Sequence, residues 1–265
     1  MAEYLCVGNP TVDIVNDRPP QAGGSVLYAA VQARRLGANV SILGRTDAAQ
    51  LDPLVEPLQL DVAWEPAPCC TTFRSTIRGD ARELFLEADA GPITPPPPRT
   101  LDGVLHLAPV WHEVDMAAII AARPPRFIGV TPQGLLRTAD RPSGRVRDAA
   151  ASWDPEVTRL VDAMVLSDTE LPYLADTCAA VARRGGVVVV TRGSRGCTLV
   201  TGDTRTDLAP PFVVDDPLDT NGAGDTLASI LFLRLFEGVD PVTAVDEAQF
   251  AAATSVTHRG PLLEL

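Results

Sequence analysis

Asp219-Thr220-Asn221-Gly222-Ala223-Gly224-Asp225 runs directly into an apolar helical stretch that begins near Thr226. A turn of small residues opening a helix aims several backbone N–H groups at one point, at the positive end of the helix dipole. Such a turn is an anion site. Gly-Ala-Gly before a helix also serves simply as a tight, closely packed turn, and an Asp in a first turn is favoured by the dipole alone. The carboxylate of Asp225, one residue past the last glycine, sharpens the reading. An acid beside an anion cradle is repulsive unless it has a task, and taking the proton from a hydroxyl that attacks a phosphoryl group is such a task.

Composition narrows the class. The 265 residues are 46% hydrophobic and 21% charged, enough apolar material for a full core. The formal charge of −12 disfavours nucleic acid and anionic membranes as partners. The chain contains no lysine, so a Walker-type phosphate loop with its lysine is excluded. No apolar run reaches the ~18–20 residues of a membrane span, and the chain begins on an apolar strand, Tyr4-Leu5-Cys6-Val7, without a charged leader. Cys6, Cys69, Cys70, Cys178 and Cys197 show no metal spacing with His106, His112 or His258, and are expected to be reduced in a cytoplasmic protein.

Short apolar runs at 3–8, 39–43, 103–107, 126–130, 163–167 and 187–191 alternate with helical patterns near 24–36, 112–122, 168–184, 222–236 and 240–257. Bare runs such as Val187-Val188-Val189-Val190 belong in a parallel sheet covered on both faces. The expected fold is therefore an open α/β sheet with its ligand beyond the carboxyl ends of the strands. Residues 61–87 break the pattern: Thr71–Ile77 and Glu83–Glu87 read as β-strands joined through Gly79-Asp80, a hairpin inserted between core segments 1–60 and 88–265. Pro95–Pro98 is a stiff extended connector.

Other positions carry chemistry. Gly23-Gly24 at a helix start permits a ligand to approach the backbone. Asp13 follows the first strand, and a carboxylate offers about four lone-pair sites to neighbouring hydroxyls. Thr191-Arg192-Gly193-Ser194-Arg195-Gly196 follows a buried strand, as a nucleotide-binding turn does, while Ser167-Asp168-Thr169-Glu170 has helix-capping character. Gln133 and Arg137, in Thr131-Pro132-Gln133-Gly134-Leu135-Leu136-Arg137, would emerge at the same edge of the sheet. A dinucleotide-dependent dehydrogenase is set aside, because no G-x-G-x-x-G follows the first strand.

The whole string Asp219–Asp225 resembles the D-T-x-G-A-G-D signature of the PfkB (ribokinase-like) family of carbohydrate and nucleoside kinases, and the remaining motifs occur in that family's order. The resemblance implies a ribokinase-like, mainly parallel sheet with helices on both faces and a small β lid. It implies ATP-dependent transfer of the γ-phosphoryl group to a hydroxyl of a small polyol or sugar. Asp225 would be the base, and Gly222, Ala223 and Gly224 the anion hole. Asp13, Gly23, Gly24, Asn9 and Gln133 would face the acceptor, and Thr191, Gly193, Gly196 and Asn221 the nucleotide. Glu170 would organise Mg²⁺ through water, and the Asp219 segment is where related kinases hold a monovalent cation. The lid would leave a monomer or form a homodimer. Two departures are plain: Tyr28 stands where the family often has Asn, and Ser167 replaces the Asn of N-x-x-E. The Ile128–Arg137 stretch resembles the inositol-kinase-like branch. A nucleoside kinase on the same fold, or a non-catalytic ligand sensor, are the alternatives.

Overall fold

A computed structural model describes residues 1–60, 62–78, 81–151 and 153–261. The expected hairpin turn at Gly79-Asp80 lies outside the described residues.

Eight strands make the main sheet, in spatial order Thr204–Leu208, Cys197–Thr201, Val187–Thr191, Ala163–Ser167, Pro125–Val130, Leu101–Leu107, Glu3–Val7 and Asn39–Leu43. The six from Val187–Thr191 to Asn39–Leu43 are parallel, and the two at the other edge are antiparallel. All six apolar runs picked out in the sequence are these parallel strands. Alternate side chains go to opposite faces, the period-2 rule of a strand. Tyr4, Cys6, Val187 and Val189 join one core, while Leu5, Val7, Val188 and Val190 join the other. Helices Ser25–Arg35, Ala223–Phe236 and Pro241–Ser255 cover the first face, and Met116–Ala122 and Leu171–Arg183 the second. The fold is α/β with a largely parallel sheet between helical layers.

Register brings the productive ends level. Val7 pairs with both Leu43 and Leu107, Leu107 with Val130, and Ser167 with Thr191. Residues just beyond these positions therefore emerge along one edge, where a ligand is expected in an open α/β sheet.

A second sheet of six strands stands apart, in the order Arg137–Asp140, Arg145–Asp148, Ala81–Ala88, Thr71–Arg78, Thr11–Val15 and Gln21–Gly23. It draws on segments outside the inserted 61–87 stretch. Thr11–Val15 runs parallel to Thr71–Arg78 with Asp13 opposite Phe73, which the hydropathy pattern did not announce. Helix starts are set locally. Asp240 caps Pro241–Ser255 by accepting from the Val242 and Thr243 amides, both at 3.1 Å. The helix expected from 112 begins only at Met116, because Asp115 accepts from the Ala118 amide at 3.0 Å and sets the start there.

Candidate active site

Two cavities lie at the carboxyl edge of the main sheet. One, of about 260 Å³, is walled by Asp13, Gly24, Tyr28 and Phe73 on one side and by Thr131, Gln133 and Arg137 on another. Its floor holds Glu170, Asn221, Gly222, Gly224 and Asp225. The other, of about 370 Å³, is largely apolar, with Pro210, Pro211, Phe212 and Val214 facing Leu227, Ala252, Ala253 and Val256. Ser167, Thr191, Thr220 and Gly224 line both. The cavities therefore meet at the glycine turn.

The turn is built for close approach. Gly222 caps the helix Ala223–Phe236 in the left-handed region at φ 72°, and a Cβ there would sit 2.1 Å from the Tyr28 ring. Only glycine fits. Tyr28, which stands where Asn was expected, thus packs under the turn. Gly224, by contrast, faces open space. Asp219 fastens the turn: its Oδ1 accepts from the Asn221 amide at 2.9 Å, and its Oδ2 accepts from the Gly260 amide at 3.2 Å and from Gln21 Nε2 at 3.4 Å.

Asp225 lies in the first helical turn, at the junction. Desolvation pushes its carboxyl up to about 6; a hydrogen bond from Ser25 and the Arg137 charge oppose the rise, and the Glu170 charge adds to it. A base poised near neutral pH suits proton abstraction from an alcohol.

On the wall of the smaller cavity, Asp13 Oδ1 accepts from the Thr11 hydroxyl at 2.8 Å, and the carboxylate presses so closely on Gly23 that a Cβ there would lie 2.2 Å from Oδ2. Gly23 backs Asp13, whereas Gly24, the N-cap of Ser25–Arg35 at φ 92°, faces the cavity itself. Gln133 Oε1 accepts from Arg137 Nη2 at 2.8 Å, Arg137 Nη1 donates to the Val110 carbonyl at 3.0 Å, and the guanidinium stacks 5.0 Å from the Phe73 ring centre. Asn9 is placed elsewhere. It is fully buried, its Nδ2 donates to the Gly91 carbonyl at 2.9 Å and its Oδ1 accepts from the Arg45 amide at 2.8 Å. Asn9 does not line either cavity, so the expected acceptor contact is corrected to a loop-fixing role. Beneath it, buried Glu113 accepts from the amides of Asn9, Val110 and Trp111 at 2.8, 2.8 and 2.7 Å. Burial raises its pKa while those amides pull it down.

Thr191, Gly193 and Gly196 all line the apolar cavity. Gly196, at φ 84°, would place a Cβ 2.2 Å from the Leu208 carbonyl and shapes the turn. Ala223 lines this cavity, while Asn221 lines the smaller one. Glu170 is buried, and its Oε2 accepts from the Ser167 amide at 2.7 Å in the turn before the helix Leu171–Arg183, whose N-cap is Glu170 itself without a side-chain cap bond. Among the described residues no cluster of three His, Cys, Asp or Glu side chains is arranged for a metal. A lone carboxylate beside an anion turn still fits Mg²⁺, which is commonly held by one or two carboxylates together with substrate phosphates and waters. The sequence reading missed Thr11, Phe73 and Thr131, which carry no motif, and the Pro210–Pro217 loop, whose prolines were the only signal.

Residues 146–264 match the description "pfkB family carbohydrate kinase". That match covers somewhat less than half of the chain. The chain is 27% identical over 270 residues to the bifunctional protein HldE of Shewanella sediminis, covering 95% of the chain and 55% of that protein. It is 32% identical over 152 residues to HldE of Azorhizobium caulinodans, covering 57% and 30%. The chain spans about half, or less, of the length of these curated relatives. In fold it is similar to a pyrophosphate-dependent ribokinase-family kinase solved with a pyrophosphate analog and myo-inositol, at TM-score 0.78, 17% identity and coverage of 98% and 97%. It is also similar to Vibrio cholerae fructokinase with fructose, ADP and potassium, at TM-score 0.72, 19% identity and coverage of 99% and 94%. The fold is ribokinase-like.

Proposed function

We propose that the chain transfers the γ-phosphoryl group of ATP to a hydroxyl of a small polyol or sugar. The observation that supports this best is the meeting of two cavities at one anion turn, with Asp225 on the acceptor side of the junction. The apolar cavity takes the adenine and ribose, the glycine turn takes the phosphates, and the acceptor lies between Asp13 and Asp225. Asp225 accepts the proton of the attacking hydroxyl, and the amides of Gly222–Gly224 with the helix dipole stabilise charge on the transferred group. Glu170, through water, would help hold Mg²⁺, which when bound supplies charge neutralisation to the phosphates. The Asp219 segment is the place for a monovalent cation, although its carboxylate is already engaged by the chain. The parallel placement of Asp13 and Phe73 on the second sheet supports that sheet as a lid, and its exposed strands as the place where a homodimer would form. No helix among the described residues is long and apolar enough to cross a membrane.

The apolar cavity also bears on the donor. Pyrophosphate has no apolar part, so a pocket walled by Pro210, Phe212, Leu227 and Val256 would be superfluous to it. The structural relative that uses pyrophosphate therefore does not set the donor for this chain. The test is product formation with ATP or pyrophosphate, each offered with inositols, hexoses, pentoses and nucleosides. Turnover with ATP and a polyol or sugar is expected. Turnover only with pyrophosphate would overturn the donor assignment, and turnover only with nucleosides the acceptor assignment.

A further inference from the structure

The chain leaves the main sheet for the second sheet just past Val7, into the strand Thr11–Val15, and comes back from the strand Ala81–Ala88 through Gly91 and Ile93. Both crossings are tied to one buried carboxylate. Glu113, only 2% exposed, accepts at Oε1 from the Asn9 and Val110 amides, both at 2.8 Å, and at Oε2 from the Trp111 amide at 2.7 Å. Its own carbonyl accepts from the Ile93 amide at 2.9 Å. Asn9 extends the tie, because its side chain donates to the Gly91 carbonyl and accepts from the Arg45 amide. There is no slack beneath: a Cβ on Gly8 would lie 2.2 Å from the Ala108 carbonyl oxygen.

The anchored segments carry different walls of the smaller cavity. From Asn9 the chain passes through Pro10, whose ring fixes φ, to Thr11 and Asp13. The same segment backs the glycine pair, since a Cβ on Gly24 would lie 2.9 Å from the Asn9 carbonyl oxygen and 3.0 Å from the Thr11 nitrogen. Val110, held at its amide by Glu113, holds Arg137 Nη1 by its carbonyl at 3.0 Å. Bonds from amides to a carboxylate are charge-assisted and among the stronger ones a chain can make. Neither Asn9 nor Glu113 lines a cavity, so neither meets the ligand.

We propose that Glu113, aided by Asn9, is a positioning residue of the site: it anchors both crossings of the second sheet and so sets the spacing of Asp13 and Arg137 that the acceptor must fit. Acceptor affinity then depends on a carboxylate that never touches the acceptor. The apolar cavity, walled by other segments, is indifferent to it. The acceptor consequence rests on the kinase reading above; the anchoring does not.

The test compares Glu113→Gln with Asp162→Asn. Gln keeps the size of the side chain but sets an NH2 group against one of the three amides. Asp162 accepts from the Ile128 amide at 2.7 Å, is half-buried, and lies at the amino end of the strand Ala163–Ser167, lining neither cavity. Steady-state kinetics give the KM for acceptor and for ATP, and amide hydrogen exchange follows residues 9–15 and 91–93. Expected of Glu113→Gln is an acceptor KM raised about 10- to 10²-fold, the scale of a displaced binding wall, with the ATP KM within about twofold. Exchange at both crossings should quicken. Asp162→Asn should leave both KM values and that exchange unchanged. An acceptor KM unmoved while Tm falls would overturn the proposal, as would an equal rise in both KM values or an equal effect of Asp162→Asn. If Glu113→Gln fails to fold, Asn9→Ala, which leaves the carboxylate and its three amides in place, carries the same measurement with the same outcomes. Faster exchange at both crossings in a chain that phosphorylates nothing would sustain the anchoring and count against the kinase reading. Unchanged exchange in an active kinase would remove the anchoring only.

Discussion

Asp225 carries two opposite demands, and each can be measured. As the proposed base it must be ionised, so kcat/KM for the acceptor should rise with pH through about 6 and level off above it. An acid limb well below that, near the ordinary aspartate range, would show that the carboxyl is not desolvated in the free protein. The same desolvation costs stability. A pKa raised in the folded state means that the folded chain binds the proton more tightly than the unfolded one, so stability is fullest below the unfolded value and declines as pH rises through the folded one. Asp225→Asn should therefore raise Tm at pH 7–8 and leave it nearly unchanged at pH 4. A gain that grows toward low pH would contradict the assignment. Thr131→Val should raise the acceptor KM by about tenfold, the worth of one hydrogen bond of ~1.4 kcal/mol, while the ATP KM stays put.

At the scale of the element, the glycine turn separates shape from function. Gly222→Ala meets the Tyr28 ring and a left-handed backbone at once, so it should cost about 1–3 kcal/mol of stability as well as activity. Gly224→Ala has open space around its Cβ and lies within the helix, so its Tm should hold or rise slightly while phosphate approach suffers. Comparable Tm losses in the two variants would refute the geometry. The loop beneath is held by Glu113, and Glu113→Ala, which orphans three amides, should cost roughly 3 kcal/mol or more. Legibility in the sequence divides along the same line. Parallel strands such as Val187–Thr191 are apolar on both faces and could be read at sight, as could glycine pairs at helix starts. Thr11–Val15 could not, because it pairs with the distant Thr71–Arg78, nor could Arg137–Asp140, because it and its nearby partner Arg145–Asp148 are mixed in pattern. Asn9 looked like a substrate contact from its place after the first strand, but only the packing shows that both ends of its amide are already taken.

Across the whole molecule, binding at either cavity should be felt as stability. A ligand at about 100 times its Kd adds roughly 2.7 kcal/mol, a shift of several degrees in a chain of this size. ATP, which on the proposed reading enters the cavity behind Phe212, should shift Tm well beyond what pyrophosphate achieves at equal concentration; equal shifts would mean that the apolar cavity plays no part in donor binding. The motifs in their order along the chain announced the main sheet and its edge. Thr131, Phe73 and the 210–217 loop reached the site only through folding, since each depends on which strand ends the topology sets side by side. The most direct test of the account is the steady-state rate of ADP release by Asp225→Asn beside the unaltered chain, with ATP and the best acceptor of the panel. A fall in kcat of about 10²–10⁴-fold with ATP affinity within a few-fold of normal is expected for a lost base, and near-normal turnover in that variant would contradict the central claim.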